Sequence, residues 1–189
     1  ILDYLDQNNL SKNTLVIYSS DQGFFTGEHG WAEKRWMYEE SFKSPLIMRW
    51  PGKISPGSKI IKLVQNIDLA PTFLKASGLP VPNSIHGLAL QPLFSKEYNF
   101  PWRKDILYQY FDGGTPEKRG PYNMPRHEGI RDERYKLISF YEFNQWEFYD
   151  LENDPNELNN LFRKKQFKPE IKRLQQRLLI LKDKFFKND

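Results

Sequence analysis

The chain holds 189 residues, enough to bury a core and to make one or two domains. It has no cysteine, which excludes a disulfide framework. Lys+Arg 28 against Asp+Glu 24 leaves a formal charge of +4 with the signs interspersed, which suits a small anionic substrate and marks no nucleic-acid face, and no apolar run approaches membrane-spanning length.

Residues 1–12 read as the end of a helix and a turn. Residues 14–18, Thr-Leu-Val-Ile-Tyr, are nearly all apolar β-formers, the pattern of a strand buried on both faces of a parallel sheet. Ser19-Ser20-Asp21-Gln22-Gly23 breaks the run. Ligands of open α/β sheets collect at the carboxyl ends of strands, so Asp21 and Gln22 are placed there as adjacent oxygen donors of the kind Ca²⁺ or Mg²⁺ prefers. The same residues also serve as plain turn formers after many strands. A second apolar run, residues 45–50, predicts another strand. The polar loop between the two carries Glu28, His29, Lys34 and Arg35, and Arg35 is spaced to pair with Glu39 or Glu40 on a helix.

Residues 59–64 predict a short strand, and residues 66–76 a helix capped by Asn66 or Asp68, with Pro71 in its first turn and Gly78 at its end. Pro80, Pro82, Pro92 and Pro101 mark residues 79–103 as a loop-rich linker. From Asp105 the texture changes. Residues 106–111, 129–131, 135–141 and 147–149 are short strands at hairpin spacing, with residues 131–134 as one turn, which predicts a small antiparallel sheet. The basic Gly/Pro-rich stretch 113–126 reads as an exposed loop. Beyond about Pro169, Ile171, Leu174, Leu178, Leu181 and Phe185 recur at helical steps, one apolar stripe expected to lie on that sheet. Residues 1–100 thus read as part of an α/β domain and residues 101–189 as an α+β subdomain.

SSDQG, then GEHG, then EKRWMYEESFKSPLIMRWPG closely resembles the type I, formylglycine-dependent sulfatases, above all bacterial enzymes that desulfate glycosaminoglycan-like sugars. HGLALQPLF from His86, HEGIRDERYKLISFY from His127 and WEFYDLENDPNELNNL from Trp146 agree with it, so the resemblance spans nearly the whole chain. It implies an α/β fold, the C-terminal part of an alkaline-phosphatase-like sulfatase, followed by a small antiparallel sheet with a packed C-terminal helix. It implies Ca²⁺ bound by Asp21 and Gln22 together with upstream residues. Lys34 is implied to contact a sulfate oxygen, where a compact ammonium stabilises charge on the transferring group. His29, on the same loop, is a substrate contact or a structural residue, and the resemblance turns His127 toward the sugar. None of the three histidines has the paired spacing of a zinc site.

The family's nucleophile is a formylglycine made from Cys or Ser in a C/S-x-P-x-R motif upstream of the calcium Asp. No residue here has that setting. The expectation is therefore the C-terminal part of a sulfatase, inactive alone and partnered by the N-terminal part of the same protein, in the periplasm or secreted. The implied reaction is sulfate-ester hydrolysis: one oxygen of the hydrated formylglycine attacks sulfur, the alcohol leaves, and the second hydroxyl expels sulfate. A phosphodiesterase or phosphonate hydrolase of the same superfamily, and a non-catalytic module for anionic carbohydrate, are the alternatives.

Overall fold

The computed structural model describes residues 1–95, 100–111 and 124–186. In chain order these form α1 (Leu2–Gln7), β1 (Val16–Ser19), β2 (Phe25–Thr26), β3 (Ala32–Glu33), α2 (Glu39–Phe42), β4 (Leu46–Arg49), α3 (Leu69–Ala76), β5 (Asp105–Tyr110), β6 (His127–Asp132), β7 (Tyr135–Phe140), β8 (Gln145–Asp150) and α4 (Lys168–Phe186). They belong to two compact units. The first is Ile1–Asp21 with Ser44–Trp102, the second Gln22–Lys43 with Arg103–Asp189.

In the first unit β1 pairs antiparallel with β4, from Val16 opposite Arg49 to Ser19 opposite Leu46. The expectation of a parallel, doubly covered strand is corrected here. Tyr18 and Ile47 face each other across this ladder and are each 65% exposed. Among the described residues this two-stranded ribbon has no flanking strand, so β-forming sequence alone does not bury it. Residues 59–64 are irregular rather than a strand, and Ile61 is 91% exposed, because among the described residues no strand offers them a ladder. α3 does form. Its entry is a reciprocal cap in which Gln65, not Asn66, pairs with Asp68, whose carboxylate accepts the Gln65 N–H at 2.8 Å. The helix closes at Gly78 with the Leu79 N–H on the Leu74 carbonyl at 2.9 Å.

The proline-rich segment after α3 is laced down rather than loose. The buried Asp68 carboxylate accepts the Leu88 N–H at 2.7 Å, and the Thr72 hydroxyl accepts the Leu90 N–H at 2.9 Å. Leu90 and Leu93 are buried as a result.

The second unit is a three-layer stack. β5, β6, β7 and β8 form an antiparallel meander in sequence order. Period-two alternation sends Ile130, Leu137 and Phe148 to one face, where they meet Ile171, Leu174, Leu178 and Leu181 of α4. The apolar stripe thus packs on the sheet as the spacing predicts, each buried leucine contributing roughly 1.5–3 kcal/mol. Basic side chains along the same helix clasp the strands. Arg177 holds Asp105 through two bonds of 2.7 and 3.0 Å, Arg173 meets Asp132 at 2.6 Å, and Lys182 meets Glu128 at 2.7 Å.

The opposite face carries Ile138, Phe140 and Tyr149, covered by Met37 from the 22–43 segment. Gly129 permits that cover. A Cβ there would stand 2.4 Å from the Met37 sulfur and 2.5 Å from the Leu137 carbonyl oxygen. The expected exposed loop at 113–126 lies mostly outside the described residues.

Candidate active site

The chain leaves β1 at Ser19 and reaches Asp21, exposed, then Gln22, half-buried in the second unit. Gly23 fixes the path of the turn. Its N–H donates to the Ser41 carbonyl at 2.8 Å, and a Cβ would lie 2.0 Å from the Glu40 carbonyl oxygen. Only glycine lets the turn approach α2 this closely.

Beyond the short β2–β3 hairpin the backbone is bent in an unusual way. His29, Glu33 and Arg35 all have positive φ, at 54°, 77° and 96°. A non-glycine residue so placed costs roughly 1–3 kcal/mol and persists only where its surroundings over-determine it. At Arg35 they do. Its N–H donates to the buried Ser41 hydroxyl at 2.8 Å, its carbonyl accepts the Tyr108 hydroxyl, and its guanidinium pairs with Glu33 at 2.9 Å. Lys34 is the residue between Glu33 and Arg35, so the strain is concentrated on either side of it. It lines a cleft of about 170 Å³ together with Trp31, Arg35, Trp36 and Met124.

The expected pairing of Arg35 with Glu39 or Glu40 is corrected. No helix joins them, since α2 begins only at Glu39. Glu39 instead serves Arg131 and Lys136, and Glu40 faces His29.

His29 lies flat on Tyr38, ring centroids 4.5 Å apart, with Phe25 edge-on at 6.0 Å and its Nε2 3.4 Å from Glu40. His127 is fully buried. Trp36, Tyr108, Tyr110 and Phe140 surround its ring at 5.4–5.6 Å, and its Nδ1 lies 2.9 Å from the Pro125 carbonyl. Burial pushes its pKa below the ordinary histidine value, which leaves the ring neutral. The second unit thus brings the Lys34 loop and His127 together around Tyr108, Arg35 and Trp36, while His29 stacks on Tyr38. Burial pushes the Tyr108 phenol up to about 12, so it remains a protonated donor.

Two features of this region escape a reading of the sequence. Tyr108 has the character of a strand former only, yet its hydroxyl donates to the Arg35 carbonyl and its ring stands 5.5 Å from His127. Lys136 has no exposed surface at all. Its ammonium lies 2.9 Å from Glu39 and 2.7 Å from Glu157, and the Glu157 carboxylate also accepts the Glu39 N–H at 2.6 Å. This cluster bolts the start of α2 to β7. A signal exists for it: Lys136, Ile138 and Phe140 share one face at period two, which puts the lysine on an inward position.

Among the described residues no three His, Cys, Asp or Glu side chains gather as a metal cluster.

Comparison with solved structures defines the class first. The chain superposes over its full length on a protein solved with its substrate D-glucosamine-2-N,6-O-disulfate, at 41% identity and a TM-score of 0.91, covering 38% of that chain. A phosphonate monoester hydrolase from Silicibacter pomeroyi shares the fold at 24% identity and a TM-score of 0.85, covering 98% of this chain and 38% of its own. The fold is the C-terminal part of an alkaline-phosphatase-like sulfatase. Residues 27–184 match the model for the N-sulphoglucosamine sulphohydrolase C-terminal region, and the chain belongs to that sulfatase family. It is 42% identical over its whole length to an N-acetylglucosamine-6-O-sulfatase of Bacteroides thetaiotaomicron, and 32% identical over 88% of its length to an N-acetylglucosamine-6-sulfatase of Bos taurus. In each case it spans 34% of the relative.

Proposed function

We propose that the chain acts as the C-terminal third of a sulfatase that hydrolyses sulfate esters of carbohydrates, with 6-O-sulfated glucosamine sugars as the substrate class. The observation that carries this reading is the 42% identity, over the whole chain, to an N-acetylglucosamine-6-O-sulfatase. The N-terminal part of the same protein supplies the formylglycine and the remaining calcium ligands, since the present chain has no cysteine and no serine in the C/S-x-P-x-R setting. We place the protein in the periplasm or outside the cell, where sulfated glycans are met. Among the described residues no helix is long and apolar enough to cross a membrane.

In this reading Lys34 binds a sulfate oxygen, Asp21 and Gln22 are calcium ligands, and His29 and His127 shape the substrate wall. The donor set suits the ion: a carboxylate and a carboxamide are hard oxygen donors, and the amide adds no charge. When bound, calcium neutralises sulfate oxygens. Lys34 meets that requirement from the protein side, since its neighbours hold its backbone in a fixed, strained bend before substrate arrives. His127, neutral and walled by rings, supports Trp36 at the cleft rather than carrying charge to it.

The test is a substrate panel for the full-length protein: 6-O-sulfated N-acetylglucosamine, its 3-O-sulfated isomer and a phenyl phosphonate. Release of sulfate from the 6-O ester is expected to dominate. Faster phosphonate cleavage would move the protein to the phosphonate hydrolases. Binding of sulfated sugar with no turnover would make it a carbohydrate-binding protein.

A further inference from the structure

Trp31 is the outermost member of a column of rings. Its indole lies 5.1 Å from that of Trp36, and Trp36 stacks at 5.6 Å on the fully buried His127. Phe140, on the sheet itself, backs Trp36 at 5.8 Å. The column runs from the core of the second unit to its surface, where Trp31 is 46% exposed. The backbone around Trp31 is tied as well. Its N–H donates to the Glu28 carbonyl at 3.0 Å, closing a turn in which Gly27, His29 and Gly30 all have positive φ. The Glu28 carboxylate accepts the Thr26 N–H at 2.6 Å, and Thr26 pairs across the hairpin with Ala32, the residue after Trp31. The indole is therefore ordered before a ligand arrives, which removes that cost from binding.

Trp31 and Lys34 line the same cleft of about 170 Å³, with Trp36 and Met124. A sulfated sugar asks for two kinds of contact. Its sulfate needs a cation, which an ammonium supplies. Its pyranose ring has hydroxyls at the rim and C–H groups on its faces, and those slightly positive, apolar faces suit the negative face of an indole. The cleft offers both.

We propose that Trp31 is a substrate-binding residue, the stacking platform for the pyranose ring whose sulfate Lys34 holds. The inference rests on the sulfate role proposed above for Lys34 and adds a contact to the sugar itself. A ring stacked away from the sulfur is held equally before and during cleavage, so the contact acts on KM and not on kcat.

The experiment compares Trp31→Ala, Trp31→Leu and Trp31→Phe in the full-length protein. On 6-O-sulfated N-acetylglucosamine, Trp31→Ala should raise KM on the order of 10–100-fold at nearly constant kcat, the effect of withdrawing an aromatic face from a stacked ring. Trp31→Phe should recover most of that loss. Trp31→Leu, apolar but without a π face, should resemble alanine. Inorganic sulfate is the second probe, since it has no ring to stack, and its inhibition constant should be unchanged in all three variants. A wild-type KM in Trp31→Ala overturns the platform. Equal recovery by leucine and phenylalanine overturns it too, and makes Trp31 a packing residue. A sulfate inhibition constant that rises in step with KM would show Trp31 acting through the Lys34 loop, and the platform would be refuted. If the wild type cleaves sugar sulfates and Trp31→Ala matches it, only the platform falls; if the wild type cleaves none, the sulfatase reading falls and the platform with it.

Discussion

Replacing Lys34 by alanine in the full-length protein should lower sulfate-ester turnover on the order of 10²–10³-fold while leaving calcium affinity nearly intact. The magnitude is that of removing one preorganised group aimed at developing charge. The structure motivates it: the backbone is bent to positive φ at Glu33 and again at Arg35, and Lys34 lines the cleft between them. Such strain is retained where the surroundings hold a residue in one particular place. Asp21→Ala should fail in a different manner. Its loss should weaken calcium binding under the proposed assignment, so activity should return in part as calcium is raised, whereas Lys34→Ala should not respond. Assaying kcat and kcat/KM for both variants across a calcium series separates the roles. Wild-type turnover in Lys34→Ala would sink the assignment.

The second large effect concerns stability. Lys136→Met should cost about 3–5 kcal/mol, because it strands the fully buried Glu157 carboxylate without its cation and leaves Glu39 with Arg131 alone. Burial pushes both carboxyls up. At Glu39 the charges of Lys136 and Arg131 outweigh burial and hold the group below its usual range, whereas at Glu157 burial prevails. Removing the stranded charge as well, in Lys136→Met with Glu157→Gln, should recover part of the loss. Urea unfolding of the full-length protein measures both. A change within about 0.5 kcal/mol for the single variant is what an exposed lysine would give.

The meander and its helix are legible in the sequence because local pattern and tertiary outcome agree there. The strands of residues 127–150 alternate at period two between short connections, and α4 repeats at helical steps, so each element announces its own buried face. The 59–64 segment has the same composition as a strand but no ladder partner, and partnership is a tertiary fact that a single segment does not encode. The expectation for Arg35 fails for a related reason. Helical spacing has no meaning across residues whose left-handed backbone sends Arg35 to Glu33 instead. At the site, the strand-end break makes Asp21 and Gln22 conspicuous and the loop makes Lys34 a candidate. Tyr108 is invisible because its importance lies in a single hydroxyl reaching across 73 residues of chain.

That span bears on the order in which the second unit assembles. β6 and β7 are joined by a two-residue turn, so their pairing closes a very short loop and forms early. The 22–43 segment must instead be captured from far away: Glu39 reaches Glu157 across 118 residues, and the entropy of that closure is met only once the sheet exists to receive it. The strained turn around Lys34 is therefore a late addition, laid onto a finished scaffold and released before it. Amide hydrogens of residues 22–43 are expected to exchange through openings that leave the β6–β7 ladder protected, which native-state exchange would detect as two separate free energies. Equal protection in both segments would mean instead that the unit opens as one.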